Sequence, residues 1–421
     1  PNGLVVYHSE RHNLPVVMVS LLIKASPLDE LPGKAGVASM TSHMMTEGTS
    51  TRSSLQISQE IEFIGADLDA SATKDYSTLS LSVLKKNVQK GFEVLSDVLL
   101  NPAFPEEELK RKRELVKGSL KRMEDEPSYV AEKTFLREVF GGHPYGRPVE
   151  GSVETIDTLT RDDVANFYRD HYRPDNAVLS VVGDVTQEEL KDLLDRYLSP
   201  WKGRESPIKA EAVRPADKER KEPKLVIVNR DISQANIHLG HRGIARSDPD
   251  YYAVAVMNYI LGGGGFASRL TSIVRDEMGL TYSIYSSFAG NKEPGQFDVE
   301  VQTKNESAGA VIGEIFRQMT RMKNEPVTDQ ELADAKSYLT GSFPRRLETS
   351  RKVADFLSVV KFYELGDDYP ERYAGYINAV TKEDIGRVAQ KYLHPDRVVI
   401  VIVGREGELR LADFEALKKV Q

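Results

Sequence analysis

The 421-residue sequence contains no cysteine. Disulfides, thiolate nucleophiles and cysteine-built zinc sites are therefore excluded. A cysteine-free chain suits cytosol and periplasm alike, so a bacterial periplasm or cytoplasm is the expected compartment. A basic excess is also missing: 56 Lys and Arg stand against 64 Asp and Glu, with a net charge of −8. That balance speaks against a nucleic-acid partner. No apolar run approaches the roughly 18 residues that a membrane helix needs, so no membrane span is expected. The longest such runs, 177–183 (AVLSVVG) and 398–404 (VVIVIVG), are short and β-branched and read as buried strands. Histidine is sparse. His238 and His241 lie in NIHLGHR, which reads as a strand, so their side chains fall on opposite faces and cannot grip one ion.

What is present is a duplication. Residues 156–183 (IDTLTRDDVANFYRDHYRPDNAVLSVVG) align without a gap on 377–404 (INAVTKEDIGRVAQKYLHPDRVVIVIVG). In each copy a threonine, Thr160 or Thr381, precedes Asp163 or Asp384 in a capping-box spacing. A helix, a Pro-Asp stop and a β-branched strand follow. The fronts of the halves echo one another, with strands expected over 16–25 and 235–243 and strand pairs over 68–83 and 282–301. Helices are expected to fill roughly 86–140 and 305–364. Length and repeat together predict two related α/β domains. Their expected limits are 1–203 and 224–421, joined by a charged, aperiodic linker over 204–223.

Residues 36–49, GVASMTSHMMTEGT, carry a helical frame with one histidine. This segment resembles the metal-binding helix of the pitrilysin/insulinase zinc peptidases, whose signature is H-x-x-E-H. Gly36, Ala38, His43, Met44, Gly48 and Thr49 keep the frame. In the family, two histidines at i and i+4 grip zinc, and the glutamate beside the second is the general base. Here Ser39 stands at the first histidine, Ser42 at the base, and only His43 remains. The family's distant third ligand falls on Ser119, in GSLKRMEDEP. Serine hydroxyls are poor zinc ligands, so no metal and no cofactor are expected in this chain.

The second half retains more. Residues 261–282 read LGGGGFASRLTSIVRDEMGLTY. The family's non-zinc half has an S-R-L…R-x-x-x-G-L-x-Y pattern, and Ser268, Arg269, Leu270, Arg275, Gly279, Leu280 and Tyr282 match it. The resemblance implies that Arg275 and Tyr282 donate hydrogen bonds to a substrate carbonyl at a zinc site supplied by another chain. Gly262, Gly263, Gly264 and Gly265 form a run similar to the glycine-rich segment of the non-catalytic subunit of mitochondrial processing peptidase. It reads either as a substrate-contacting lip or as a simple connector. The strand near 65–72 corresponds to the edge that offers backbone groups to a peptide in active relatives, and it carries Asp69.

The resemblance covers the whole chain. It implies an α/β (α+β) fold of two homologous domains, each a mostly antiparallel sheet with helices packed on one side. It also implies a non-catalytic subunit of a zinc metalloendopeptidase, paired with a zinc-bearing sister chain and acting on peptides. The alternative is a standalone homodimeric binding or scaffold protein of the same fold.

Overall fold

The two apolar runs become the most deeply buried strands of two sheets. In the computed structural model, which describes residues 2–203 and 220–411, the first sheet holds β1 (Val5–Glu10), β2 (Val16–Ile23), β3 (Asp67–Ala72), β4 (Ser77–Leu84) and β5 (Ala177–Gly183). Its order is β1-β5-β2-β4-β3. The second sheet holds β6 (Lys224–Asn229), β7 (Gln234–Arg242), β8 (Thr281–Phe288), β9 (Gln296–Lys304) and β10 (Val399–Gly404), in the order β6-β10-β7-β9-β8. In both, the outer pair (β1 with β5, β6 with β10) is parallel and every other pairing is antiparallel. The duplication in sequence is thus a duplication of topology. Both capping boxes form: Thr160 Oγ1 accepts from Asp163 N at 3.2 Å and Thr381 Oγ1 from Asp384 N at 3.1 Å.

The compact units are discontinuous along the chain. One comprises Pro1–Lys121, Pro148–Val213 and Pro344–Asp367; the other comprises Arg122–Arg147, Arg214–Phe343 and Asp368–Gln421. Each unit therefore contains one helix from the opposite half of the sequence. Most of the expected linker lies outside the described residues.

The exchanged helix explains the burial of the central strands. In the first unit Val17, Val19, Leu21 and Ile23 of β2 face the main helical layer, together with Leu79, Leu81 and Val83 of β4. The reverse face is covered by the helix Ser350–Phe362, whose Val353 and Ala354 pack on Met18 and Val182 and whose Phe362 packs on Leu22 and Val178. Helices therefore lie on both faces of β2 and β5, not on one side alone. Strands covered twice must be apolar at nearly every position, whereas β4, beyond that helix, alternates buried and half-buried. Two serines on the reverse face are matched by polar groups of the helix. Ser20 Oγ donates to Asp355 Oδ1 at 2.8 Å, and Ser180 Oγ lies 2.8 Å from Ser358 Oγ.

In the second unit the helix Pro127–Phe140 plays the same part. Its Val130 and Ala131 pack on Val403 of β10. Its Phe135 ring lies 5.7 Å from the ring of His238 on β7.

Candidate functional site

The frame helix runs Val37–Met44 and starts from Gly36, at φ 93°. A Cβ there would come within 2.3 Å of the Glu150 carbonyl oxygen, so the frame's first glycine is a steric requirement. The carboxylate of Glu30 accepts from Gly36 N at 2.9 Å and Ala38 N at 3.1 Å, satisfying two orphan donors at the helix start. At the other end of the frame, Gly48 has φ 135°. Thr49 Oγ1 donates to Asp97 Oδ2 at 2.6 Å, and Arg52 Nη1 reaches the same oxygen at 2.7 Å.

Within this frame the former ligand positions have become packing positions. Ser39 and Ser42 are both buried. The Ser42 hydroxyl donates to Ala38 O at 3.2 Å and lies 3.1 Å from the Tyr172 hydroxyl, so it is engaged in structure. Ser119 is half-buried on the helix Glu106–Met123. Burial, followed by the nearby Lys112 ammonium, pulls the half-buried His43 imidazole below its ordinary value. Lys112 Nζ sits 2.5 Å from Glu47 Oε1, and Arg111 Nη2 sits 2.5 Å from Glu47 Oε2. Burial pushes the Glu47 carboxyl up, but these cations outweigh it and hold the group below the usual carboxylate range. Among the described residues there is no cluster of three or more His, Cys, Asp or Glu able to hold a metal. A single imidazole with only serine hydroxyls at the other ligand positions does not fit zinc.

Asp69 is exposed on β3, an edge strand, and acts electrostatically on His43. The fold therefore brings the sheet edge and the frame helix together.

The other motif lies wholly in the second unit. Its segments Tyr259–Gly263 and Thr271–Glu277 are π-helical, a form concentrated at functional sites and at packing irregularities. Gly262 and Gly263 belong to the first π-turn rather than to a loop between helices. A Cβ on Gly262 would lie 2.5 Å from Ser286 Oγ, and one on Gly264 2.7 Å from Tyr259 O. Only Gly265, at φ 56°, is open around its Cα. Residues at and just before these segments bond the backbone of the edge strand β8. Asn258 Nδ2 donates to Ser286 O at 3.0 Å and Thr271 Oγ1 to Ile284 O at 3.2 Å.

Ser268, Arg269 and Leu270 are buried and anchor this region. Arg269 grips Glu331 through two bonds, Nε to Oε1 at 2.6 Å and Nη2 to Oε2 at 3.0 Å. Arg275, by contrast, is part-exposed. Its guanidinium lies 4.5 Å over the Phe266 ring, and its Nη1 lies 3.7 Å from Asp276 Oδ1. Gly279 turns the chain at φ 66°, and Tyr282 then opens β8 beside a bulge between Thr281 and Ile284. Tyr282 is 91% exposed, and its hydroxyl has no hydrogen-bond partner among the described residues. Both motif donors therefore stand at the surface of this unit. Phe266, under the Arg275 guanidinium, and Glu331, the partner of Arg269, were not singled out from the sequence. Glu331 leaves a local trace, because it closes a capping box with Thr328, but its pairing with Arg269 leaves none.

Comparison with known proteins follows the same division. Residues 5–153 match the insulinase family (peptidase family M16), and residues 158–339 match the peptidase M16 inactive domain. The chain is 26% identical over 406 residues to the uncharacterized zinc protease YmxG of Bacillus subtilis, covering 95% of this chain and 96% of that protein. It is 28% identical over 407 residues to an uncharacterized zinc protease of Streptomyces coelicolor, covering 93% and 86%. Among solved structures, a peptidase M16 inactive domain from Pseudomonas fluorescens superposes with a TM-score of 0.87 at 28% identity, covering 96% of both chains. A protease from Helicobacter pylori shares the fold, with a TM-score of 0.86 at 22% identity over 96% of this chain and 97% of that one.

Proposed function

We propose that this chain, which belongs to the insulinase (M16) family of peptidases, is the non-catalytic subunit of a two-chain zinc endopeptidase. The zinc and the general base come from a sister chain; this chain contributes Arg275 and Tyr282. The observation that carries the reading is the contrast between the two motifs. The first has lost its ligands and has been repacked around Ser42, Tyr172 and the Lys112–Glu47 pair. The second keeps a guanidinium and a phenol at the surface, on segments anchored by buried Arg269. At 91% exposure the Tyr282 phenol is free to donate to a group outside this unit. Preorganised donors have value where charge develops on a carbonyl oxygen during peptide cleavage. The substrate class is an extended peptide; in the second unit Gly265, the open member of the run Gly262, Gly263, Gly264 and Gly265, is the further contact, and in the first unit Asp69 on the β3 edge is a separate candidate.

The test is reconstitution with the zinc-bearing sister chain recovered by pull-down from native extract. Cleavage of unstructured peptides should appear only in the mixture. Arg275→Ala and Tyr282→Phe should each lower kcat by about 10²-fold, the cost of one oxyanion donor, while the two chains still associate. Unchanged kcat in both variants would remove the assigned role. A stable homodimer that stimulates no sister chain would favour the scaffold alternative.

A further inference from the structure

A cleft of about 350 Å³ opens in the first unit, where the helix Arg161–His171 ends against residues 200–203. This size falls within the range of small-ligand sites. Three aromatic residues, Tyr168, Tyr172 and Trp201, and three cations, Arg169, Arg173 and Lys202, line it, with no carboxylate in the lining among the described residues. The rings are pinned. The Tyr168 hydroxyl donates to Leu99 O at 2.7 Å, and Trp201 Nε1 donates to Tyr172 O at 3.2 Å.

Arg173 is the residue that calls for a ligand. It is only 9% exposed, yet its Nε and Nη1 are buried without a hydrogen-bond partner among the described residues. Among the described residues its one ionic neighbour is Asp175, at 3.4 Å from Nη2. A buried donor left unsatisfied costs about 1–3 kcal/mol, more when charged, and native structures seldom tolerate one. Arg169 bonds Asn166 Oδ1 at 2.6 Å and lies 3.9 Å from Asp170 Oδ1, while Lys202 is exposed and has no partner among the described residues. We propose that this cleft binds a small aromatic oxyanion, an aryl phosphate or aryl carboxylate up to the size of a mononucleotide. The anionic group would be taken by Arg173, with Lys202 and Arg169 adding charge, and the flat ring would lie against Tyr168 and Trp201. Guanidinium and oxyanion match in fork geometry, and pinned aromatic walls suit a planar ligand.

Trp201 is the chain's sole tryptophan, so emission excited at the red edge, where the 18 tyrosines do not absorb, reports on this cleft. The full chain is titrated with AMP, phenyl phosphate, benzoate, inorganic phosphate and, as the neutral control, adenosine. A saturable change in Trp201 emission is expected with at least one aryl oxyanion and not with adenosine; the phosphate and carboxylate arms identify which head group is preferred. Arg173→Met should weaken binding at least about tenfold, the worth of one charge-assisted bond. Should that variant fail to fold, Lys202→Met, at an exposed site, should still weaken binding and reduce its salt dependence. The proposal is overturned if no aryl oxyanion changes the emission up to about 10 mM, or if adenosine binds as well as AMP. It is equally overturned if a folded Arg173→Met, or Lys202→Met in its place, binds like the parent.

Discussion

Glu331→Gln should be among the more damaging single-atom changes in the second unit. Arg269 is 7% exposed and Glu331 25% exposed at the side chain, and two hydrogen bonds join them. Burial pushes the Glu331 carboxyl up, but the Arg269 guanidinium and the Thr328 backbone N–H more than offset it, holding the group at about 2 against an ordinary 4.5. At about 1.4 kcal/mol per unit, that depression corresponds to about 3 kcal/mol, which the partial exposure of Glu331 reduces to about 2 kcal/mol. Removing one partner also leaves the Arg269 guanidinium buried without a counter-charge, which raises the expected loss to about 2–4 kcal/mol. Urea unfolding followed by circular dichroism at pH 7 should show this as a lower midpoint at unchanged slope. Because the folded carboxyl titrates below the unfolded one, its contribution is complete above about pH 4.5 and fades as pH falls toward 2. Parent and variant should therefore converge on acidification. Arg269→Met combined with Glu331→Gln should recover part of the loss, since the stranded charge is gone. A loss under about 1 kcal/mol, or one that does not change with pH, would refute this account of what anchors the Arg275 segment.

The further predictions concern protons and metal. His241 is buried with Nδ1 donating to Arg242 O at 2.8 Å and Nε2 accepting from His394 N at 3.1 Å, and burial first of all lowers its pKa from 6.5 to about 3. The unfolded chain binds its proton first, so stability should fall by up to about 1.4 kcal/mol per unit as pH drops from 6.5 toward 3, and a folded His241→Gln should flatten that limb in urea titrations. His238 works in the opposite sense. Burial lowers it, but Asp298, 2.9 Å from Nδ1, brings the net above 6.5, so its contribution is full below pH 6.5 and lost as pH rises through the folded value. For the metal, EDTA should leave the thermal midpoint of the isolated chain unchanged, whereas Ser39→His with Ser119→Glu should rebuild a ligand set with His43 and retain zinc after dialysis, read by elemental analysis. Zinc retained by the parent chain at one equivalent would contradict the reading of the serine-substituted frame.

Much of the fold was written locally. Thr160 and Thr381 cap their helices because the Asp three residues on answers within one turn, and β5 and β10 follow from unbroken β-branched runs. The degenerate frame was equally legible: ligand chemistry depends on side-chain identity at fixed helical spacing, and Ser39 and Ser42 stand where imidazole and carboxylate would be needed. Tertiary structure alone decided the rest, through contacts between residues far apart in the chain. No periodicity in Ser350–Phe362 or Pro127–Phe140 tells which sheet each helix will cover, since an apolar stripe fits either. Lys112 meets Glu47, Arg269 meets Glu331, and Arg173 is left with two buried, unsatisfied donors only once distant segments have folded against one another. Propensity, capping and ligand identity act within a few residues and can be read in order. Charge pairing and burial depend on distance in space, and the order of residues does not record that distance.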